Sequence, residues 1–402
     1  MTAIAADRIE SAVQAYSVAA QLASDFVREA AARDRGRELP FAEVDRLAAS
    51  GLLAITVPAA FGGADLPPSV VAEVVRILAA ADPNIAQIPH SHFVYLNLLR
   101  LAGSRDQQQR YFGQVLAGAR IANAQSERGS ATVVDIATTV RPVGDRCRID
   151  GIKFYCTGSL FADLLAVLTR LDDPEQRSGL APGEYIAYLP ADTPGVRIID
   201  DWHGIGQRTT GSGTIEFEGV VVERDQLIAR SGAVHAPTGY GAYAQLLHAA
   251  IDTGIARGAL TAATEFVRTS SRPWFESGVT RAVDDPLLIQ RFGELSVEVS
   301  AAEATLTTAG VAVDAAVGAA EFAAPASLAV ATAKVLADRA ANEVSAALFE
   351  VGGTRSAAAD LNLHHYWRNA RTHTLHDPVR WKYQHIGRAL LHDTAPPLHG
   401  VI

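Results

Sequence analysis

The periodicity of apolar positions changes twice along the chain and divides it into three. The first part is helical. Val13, Tyr16, Ala20, Leu22, Ala23 and Phe26 recur at roughly helical spacing, and the charged run Arg28–Arg37 follows. Phe41–Ser50 reads as a short helix ended by Gly51, with LLAITVP and the turn FGGAD after it. SVVAEVVRILAAAD predicts a strong helix capped by Ser69 and stopped before Pro83. NIAQIPHSHFVYLNLLRLAG predicts another, carrying His90 and His92.

At Ile121 the pattern turns to short alternating runs between Gly and Pro. TVRPVGDRCRIDGIKFYCTG holds two hairpin signals, Gly144-Asp145 and Asp150-Gly151. DLLAVLTRLD, EYIAYLPAD, VRIIDDW and GTIEFEGVVV continue the series, and EQRSGLAPG reads as a surface loop. Helical spacing returns at Tyr240. Three long runs follow, AQLLHAAIDTGIARGALTAATEFVRTSSRPW, LIQRFGELSVEVSAAEATLTTAGVAVDAAV and PASLAVATAKVLADRAANEVSAALFEVGG, the last closed by Gly352-Gly353. A final helix carries most of the histidines. The reading is an α+β chain with an N-terminal helical domain over 1–120, a barrel-like β-domain over 121–230 and a C-terminal four-helix bundle over 231–402.

Composition narrows the class. A chain of 402 residues, 49% apolar and 20% charged, is globular and long enough for two or three domains. Net charge is −9 with no basic block, which argues against a nucleic-acid partner. Two cysteines, Cys147 and Cys156, make no disulfide framework and fit a reducing cytoplasm. No secretory leader is expected at the N-terminus, and charges break the alanine-rich stretches before membrane-spanning length.

The candidate chemistry lies near the end. Seven of the twelve histidines fall between His364 and His399. His373, His376 and Asp377 are spaced to share one face of a helix, and Pro378 favours ending it there. Imidazoles and a carboxylate at a helix end make a candidate proton-handling site. The same spacing also suits a surface cluster or a subunit contact. It is a zinc pattern too, but no further ligand sits at a recognisable spacing, so no metal is assigned. No glycine-rich fingerprint opens a βαβ unit, so no NAD(P)H site is visible.

The three-part order resembles the acyl-CoA dehydrogenase superfamily over nearly the whole chain. IANAQSERGSA, GIKFYCTGSLFADLLAV, HGIGQRTTGSGTIEFEGVVVERDQLI, GIARGALTAATEFVRTSSRP, QRFGEL and EVGG stand in the order of that family's motifs. At the place of the dehydrogenase base the chain reads Arg368-Asn369-Ala370-Arg371-Thr372-His373-Thr374-Leu375-His376-Asp377-Pro378. Asp377 stands where a Glu is expected, followed by Pro instead of Gly-Thr. NARTHTLHDPV resembles the flavin-dependent monooxygenase branch, which includes the dibenzothiophene monooxygenases, and Ser271-Arg272-Pro273-Trp274 resembles a second segment of that branch.

That resemblance implies a monooxygenase using reduced FMN, delivered by a separate NAD(P)H-flavin reductase, and oxygen. An oxygen atom would pass from a flavin C4a-hydroperoxide to a small organosulfur or nitrogen substrate. His92, Thr157, His373 and His376 would serve catalysis. Asn123, Ser126, Thr157, Arg272, Arg368 and His373 would hold the flavin, with Arg272 reaching the phosphate in a neighbouring subunit of a homotetramer. Glu127 would order the flavin-contacting turn. An FAD-dependent acyl-CoA dehydrogenase and a non-catalytic relative are the alternatives. Thr354-Arg355-Ser356-Ala357-Ala358 lacks the glycine pattern that goes with the adenine half of FAD, which favours FMN.

Overall fold

The computed structural model describes residues 6–129, 132 and 135–400. The N-terminal part holds α1 (Ala12–Gly36), α2 (Phe41–Ala49), α3 (Pro68–Ala81), α4 (Pro83–Gln87), α5 (His90–Ala102) and α6 (Arg105–Leu116). Helix α1 starts at Ser11, whose hydroxyl accepts from the Gln14 N–H, and it buries the stripe Ala15, Ala19, Leu22, Ala23 and Phe26. Ser69 is not the expected cap. Helix α3 begins on Pro68, whose missing N–H costs nothing in the first turn, and the Ser69 N–H and hydroxyl donate instead to the Asp314 carboxylate at 2.9 and 2.5 Å.

The middle part is one eight-stranded sheet of β1 (Ile121–Ala124), β2 (Thr139–Val143), β3 (Arg146–Cys156), β4 (Leu164–Leu171), β5 (Glu184–Pro190), β6 (Val196–Ile199), β7 (Gly213–Val222) and β8 (Leu227–Ala229). The order is β6-β7-β3-β2-β4-β5-β8, with β1 parallel to β4 from Ile121 against Leu164. The end strands β6 and β8 are not paired with each other among the described residues. Gly144-Asp145 turns the β2–β3 hairpin, as its composition predicts. Asp150-Gly151 is not a turn. Gly151 (φ +156) sits inside β3 at a register shift against β7, where any Cβ would collide with Thr138.

The C-terminal part comprises α7 (Ser231–His235), α8 (Tyr240–Thr269), α9 (Pro286–Ala316), α10 (Ala323–Gly352), α11 (His364–His373) and α12 (Arg380–His392). The three long predicted runs are α8, α9 and α10, and α10 stops where Gly353 takes φ +66. Helix α8 is crossed closely by α3. A Cβ on Gly254 would lie 2.5 Å from Ala79 Cβ, and one on Gly258 would lie 2.4 Å from the Ala80 carbonyl. Residues 320–352 are long and apolar enough to cross a membrane by length and composition. Their buried Lys334 is ion-paired to Asp252 of α8, which makes this stretch the centre of a helical bundle.

The predicted last helix is two. Helix α11 ends at His373, the Thr374 hydroxyl donates back to the Ala370 carbonyl, and His376 and Asp377 lie on the turn before α12. His373, His376 and Asp377 therefore do not share a helical face. Pro378 disfavours helical backbone at the residue before it, and the turn results.

Candidate active site

Four histidines from three helices and a turn meet at one place. His90 opens α5, His248 lies on α8, His373 closes α11 and His376 follows on the turn. The His90 and His248 rings stack with centroids 3.9 Å apart, and the His376 ring lies 3.8 Å from that of His248. His248 Nδ1 is 3.2 Å from His373 Nε2, and His373 Nδ1 is 2.5 Å from Asp252 Oδ1. Lys334 Nζ donates to Asp252 Oδ2 at 2.5 Å, with both side chains fully buried. Among the described residues no three His, Cys, Asp or Glu side chains are grouped to hold a metal ion.

Burial decides the charges. It pushes His90 down to about 3, aided by the neighbouring His376, and it also lowers His248 and His373, although Asp252 opposes it at His373. These three rings are neutral at pH 7. Burial alone would protonate Asp252, but Lys334 and His373 hold it below the usual carboxylate range. His376 is the wet member, with its side chain 41% exposed.

The end of β3 is tied to the same helices. Strand β3 ends in a tight turn where Tyr155 takes φ +58, and the Thr157 and Ser212 hydroxyls are 2.8 Å apart. Gly158 (φ +82) closes the turn against α4: a Cβ there would come 3.2 Å from the Ile88 carbonyl, two residues ahead of His90. Loop 203–212, which carries Ser212, is bound along α11 by a 2.7 Å hydrogen bond from the Gln207 N–H to Asn369 Oδ1. Asn84 of α4 accepts the Thr209 N–H of the same loop at 3.2 Å. The Thr157 turn and the histidine stack are thus tied to the same two elements, the α4–α5 junction and α11.

Ser126 follows β1, and its carbonyl accepts the Phe154 N–H at 2.8 Å, which draws that turn beside the end of β3. Glu127 accepts from Lys153 Nζ at 2.7 Å and from the Ala137 and Thr138 N–H groups. It orders the turn, as expected of it. Asn123 Oδ1 is buried without a hydrogen-bond partner. A buried acceptor without a partner, on the strand that leads into the Ser126 turn, fits the polar edge of a flavin ring. Ser130 and Ala131, at the end of the IANAQSERGSA segment, lie outside the described residues.

Not every predicted residue comes to this place. His92 is buried, its Nδ1 accepts the Ile121 N–H at 3.1 Å, and its Nε2 donates to the Leu53 carbonyl at 2.8 Å. With both ring nitrogens spent it fastens β1 to the helical part, and His90, two residues earlier, stands in the stack. Arg368 is also committed: it bonds His364, Asp34, Asn362 and the Ile205 carbonyl, joining α1, α11 and loop 203–212, so no donor remains for a phosphate. Arg272 is exposed and makes no hydrogen bond or ion pair among the described residues. Asp377 is buried and ion-paired to Lys382 at 2.7 Å.

Sequence reasoning passed over His248, Asp252 and Lys334. A signal was there. His248 and Asp252 are spaced i, i+4 inside the apolar run AQLLHAAIDTG, and Lys334 is the lone charge in PASLAVATAKVLA. Polar residues in the middle of a core helix must find partners, and these found each other.

Sheet, bundle and site together define a class. Residues 10–119 match the acyl-CoA dehydrogenase N-terminal domain, and residues 246–381 match the acyl-CoA dehydrogenase C-terminal domain. The chain belongs to the acyl-CoA dehydrogenase family, in its flavin-dependent monooxygenase branch. It is 33% identical over 397 residues to the dibenzothiophene monooxygenase of Rhodococcus qingshengii, covering 94% of each chain. It is 35% identical over 394 residues to the probable FMNH2-dependent monooxygenase SfnC of Pseudomonas putida, covering 95% of this chain and 96% of that one. The fold matches FMN-bound TdsC from Paenibacillus sp. A11-2 with a TM-score of 0.91 at 31% identity, over 96% of this chain and 100% of that one.

Proposed function

We propose that this protein uses reduced FMN, supplied by a separate NAD(P)H-dependent flavin reductase, and molecular oxygen to place one oxygen atom on a small organosulfur compound. A nitrogen compound is the second substrate class. The observation that carries the reading is that imidazoles line the site while its carboxylates are locked. Burial would raise the pKa of Asp377, but His376, Lys334 and Lys382 overcome it and hold the group far below the usual carboxylate range. A base for the α-proton of a thioester needs a pKa nearer the working pH. Asp377 is therefore a poor dehydrogenase base, which weighs against the acyl-CoA dehydrogenase alternative. The named relatives, which are monooxygenases, support the same conclusion.

Reduced FMN supplies the electrons that, with oxygen, yield one oxygen atom for the substrate and one molecule of water. The chain supplies placement and proton control. Thr157, backed by Ser212, offers a hydroxyl to the flavin edge, and Asn123 and the Ser126 turn hold its polar side. His376 gives or takes a proton at the open end of the stack. The buried neutral ring of His90 keeps water away behind it, which a reactive oxygen donor requires. Arg272 suits a phosphate bound in a neighbouring subunit, since a guanidinium grips that group bidentately. A homotetramer acting in the cytoplasm is the assembly that goes with this reading. The exposed Trp274–Phe275 pair beside Arg272, with ring centroids 4.7 Å apart, supports a buried role for that loop in an oligomer.

The test is anaerobic titration with reduced FMN, then oxygen and a panel of sulfones, sulfinates and thiophenes, with products read by mass spectrometry. An oxygenated product supports the reading. Anaerobic bleaching of bound FAD by an acyl-CoA, without oxygen transfer, overturns it.

A further inference from the structure

We propose that Asp252, gripped by Lys334, sets the proton direction of a relay through His373 and His248, so that His248 offers an unprotonated Nε2 as a proton acceptor of the site. The inference rests on the oxygen-transfer reading above and says how that site handles a proton.

The hydrogen bonds fix the direction. Lys334 Nζ lies 2.5 Å from one oxygen of Asp252, and His373 Nδ1 lies 2.5 Å from the other. An ammonium has no lone pair, so the carboxylate accepts from it. The second oxygen accepts as well, which puts the His373 proton on Nδ1 and leaves Nε2 as a lone pair. His248 Nδ1, 3.2 Å from that lone pair, must then carry a proton. His248 Nε2 is left as a lone pair that makes no hydrogen bond among the described residues. His90 does not reverse this, because its own Nε2 faces the Ala244 carbonyl at 3.0 Å and donates there.

The proton shed by the oxygenated substrate is taken up at His248 Nε2, which releases its Nδ1 proton to His373 Nε2. The resulting imidazolium is stabilised by the Asp252 carboxylate. The reverse transfer returns a proton to the hydroxide formed from the second oxygen atom, which leaves as water. The relay borrows one proton and gives it back. Reduced flavin, oxygen and substrate still yield oxidised flavin, oxygenated substrate and water. Lys334 cancels the charge of Asp252 at rest, so the buried set is neutral before the proton arrives and carries a single, paired positive charge afterwards. A carboxylate buried alone would not ionise. His376, its ring tilted against that of His248 with centroids 3.8 Å apart and half exposed, links the acceptor to the open side of the site. Asp252, Lys334 and His373 are positioning residues in this scheme.

The test reads tautomers in the flavin-free protein by nitrogen-15 NMR of labelled histidines. His248 and His373 are both expected with the proton on Nδ1. In Asp252→Asn, Lys334 demands the amide oxygen, so the NH2 faces His373 Nδ1 and both rings switch to the Nε2–H form. His248 can then no longer accept at Nε2. Coupled oxygen transfer is expected to fall about a hundredfold with unchanged affinity for reduced FMN. The wild-type spectrum needs no variant to fold. An Nε2–H tautomer at His248 or His373 in the wild type overturns the relay, and so does full coupled turnover in the variant with switched tautomers. The expected tautomers in a protein that transfers no oxygen with any flavin would leave the hydrogen-bond direction standing and overturn its assigned use.

Discussion

Asp377 and Asp252 are both buried carboxylates near the histidines, and each is silenced by a lysine, at 2.7 and 2.5 Å. On the proposed reading, proton traffic at the site therefore falls to imidazoles. His376→Ala is expected to leave folding intact, because the ring is half exposed, while coupled turnover drops about a hundredfold and hydrogen peroxide release rises. Oxygen uptake, product and peroxide measured together check this, and coupled turnover at the wild-type rate would remove His376 from the mechanism. A second residue-level prediction concerns stability. Burial would raise Glu127, but Lys153 and the Thr138 contacts overcome it and hold the group at about 2 against an ordinary 4.5. A depressed carboxylate stabilises the fold fully above its unfolded value. That stabilisation fades as the pH falls from there through the folded value. Glu127→Gln is expected to cost about 3–5 kcal/mol at neutral pH, because it strands Lys153 in the core. The cost should shrink as the pH falls from 4.5 toward 2, as urea titrations across that range can verify. At this scale the motifs named Thr157, His373 and His376 as candidates, and the structure sets Thr157 against Ser212 and His373 and His376 against His248. The sequence was not legible at His92, because two histidines two positions apart on one helix differ only in what other elements bring to them. The Leu53 carbonyl and the Ile121 N–H claim His92, whereas His248 stacks on His90.

At the scale of elements, the site depends on close approaches that only glycine permits. Gly158 sits in left-handed backbone against the Ile88 carbonyl, so Gly158→Ala is expected to displace the Thr157 turn and weaken affinity for reduced FMN about tenfold, roughly 1.4 kcal/mol. Fluorescence titration reads that loss directly, and unaltered affinity would detach the turn from the flavin site. Gly258 lets α3 lie on α8, and Gly258→Val should lower stability by about 1–3 kcal/mol through overpacking. A thermal midpoint equal to that of the parent protein would contradict the packing argument. Periodicity gave α9 and α10 closely and α8 except at its ends, where the run carries on through Ser270–Trp274 beyond Thr269, because long apolar repeats leave little choice. It failed at ends and bends. Ser69 reads as a cap until Asp314, distant in sequence, takes its hydroxyl, and Asp150-Gly151 reads as a turn until β7 pairs across it as a bulged strand. Those outcomes are set by tertiary partners that no local window contains.

At the scale of the molecule, the order of helices, sheet and helices places one junction where α5, α8, α11 and the end of β3 converge, and the chemistry collects there. Other concave surfaces lie away from that junction. One of about 580 Å³ runs between α8 and α9, lined by Leu260, Thr264, Leu288 and Phe292. Beside it Leu287 is 75% exposed, and on α12 Leu390 is 82% exposed. Exposed apolar side chains of this kind suit the proposed homotetramer. With Arg272 reaching the phosphate in the proposed homotetramer, Arg272→Ala is expected to leave the mass read by light scattering unchanged while weakening reduced FMN binding about tenfold or more. Unchanged affinity would assign the phosphate to another cation.

The central claim is that the chain moves an oxygen atom from dioxygen to a small organosulfur compound at the expense of reduced FMN. The most direct measurement supplies the purified protein with reduced FMN from a separate reductase, under oxygen-18 gas, with a panel of organosulfur compounds. The account predicts a product carrying one labelled oxygen, with formation that requires both this protein and reduced FMN. Reoxidation of the flavin with all of the label recovered in hydrogen peroxide, for every compound tried, would contradict it.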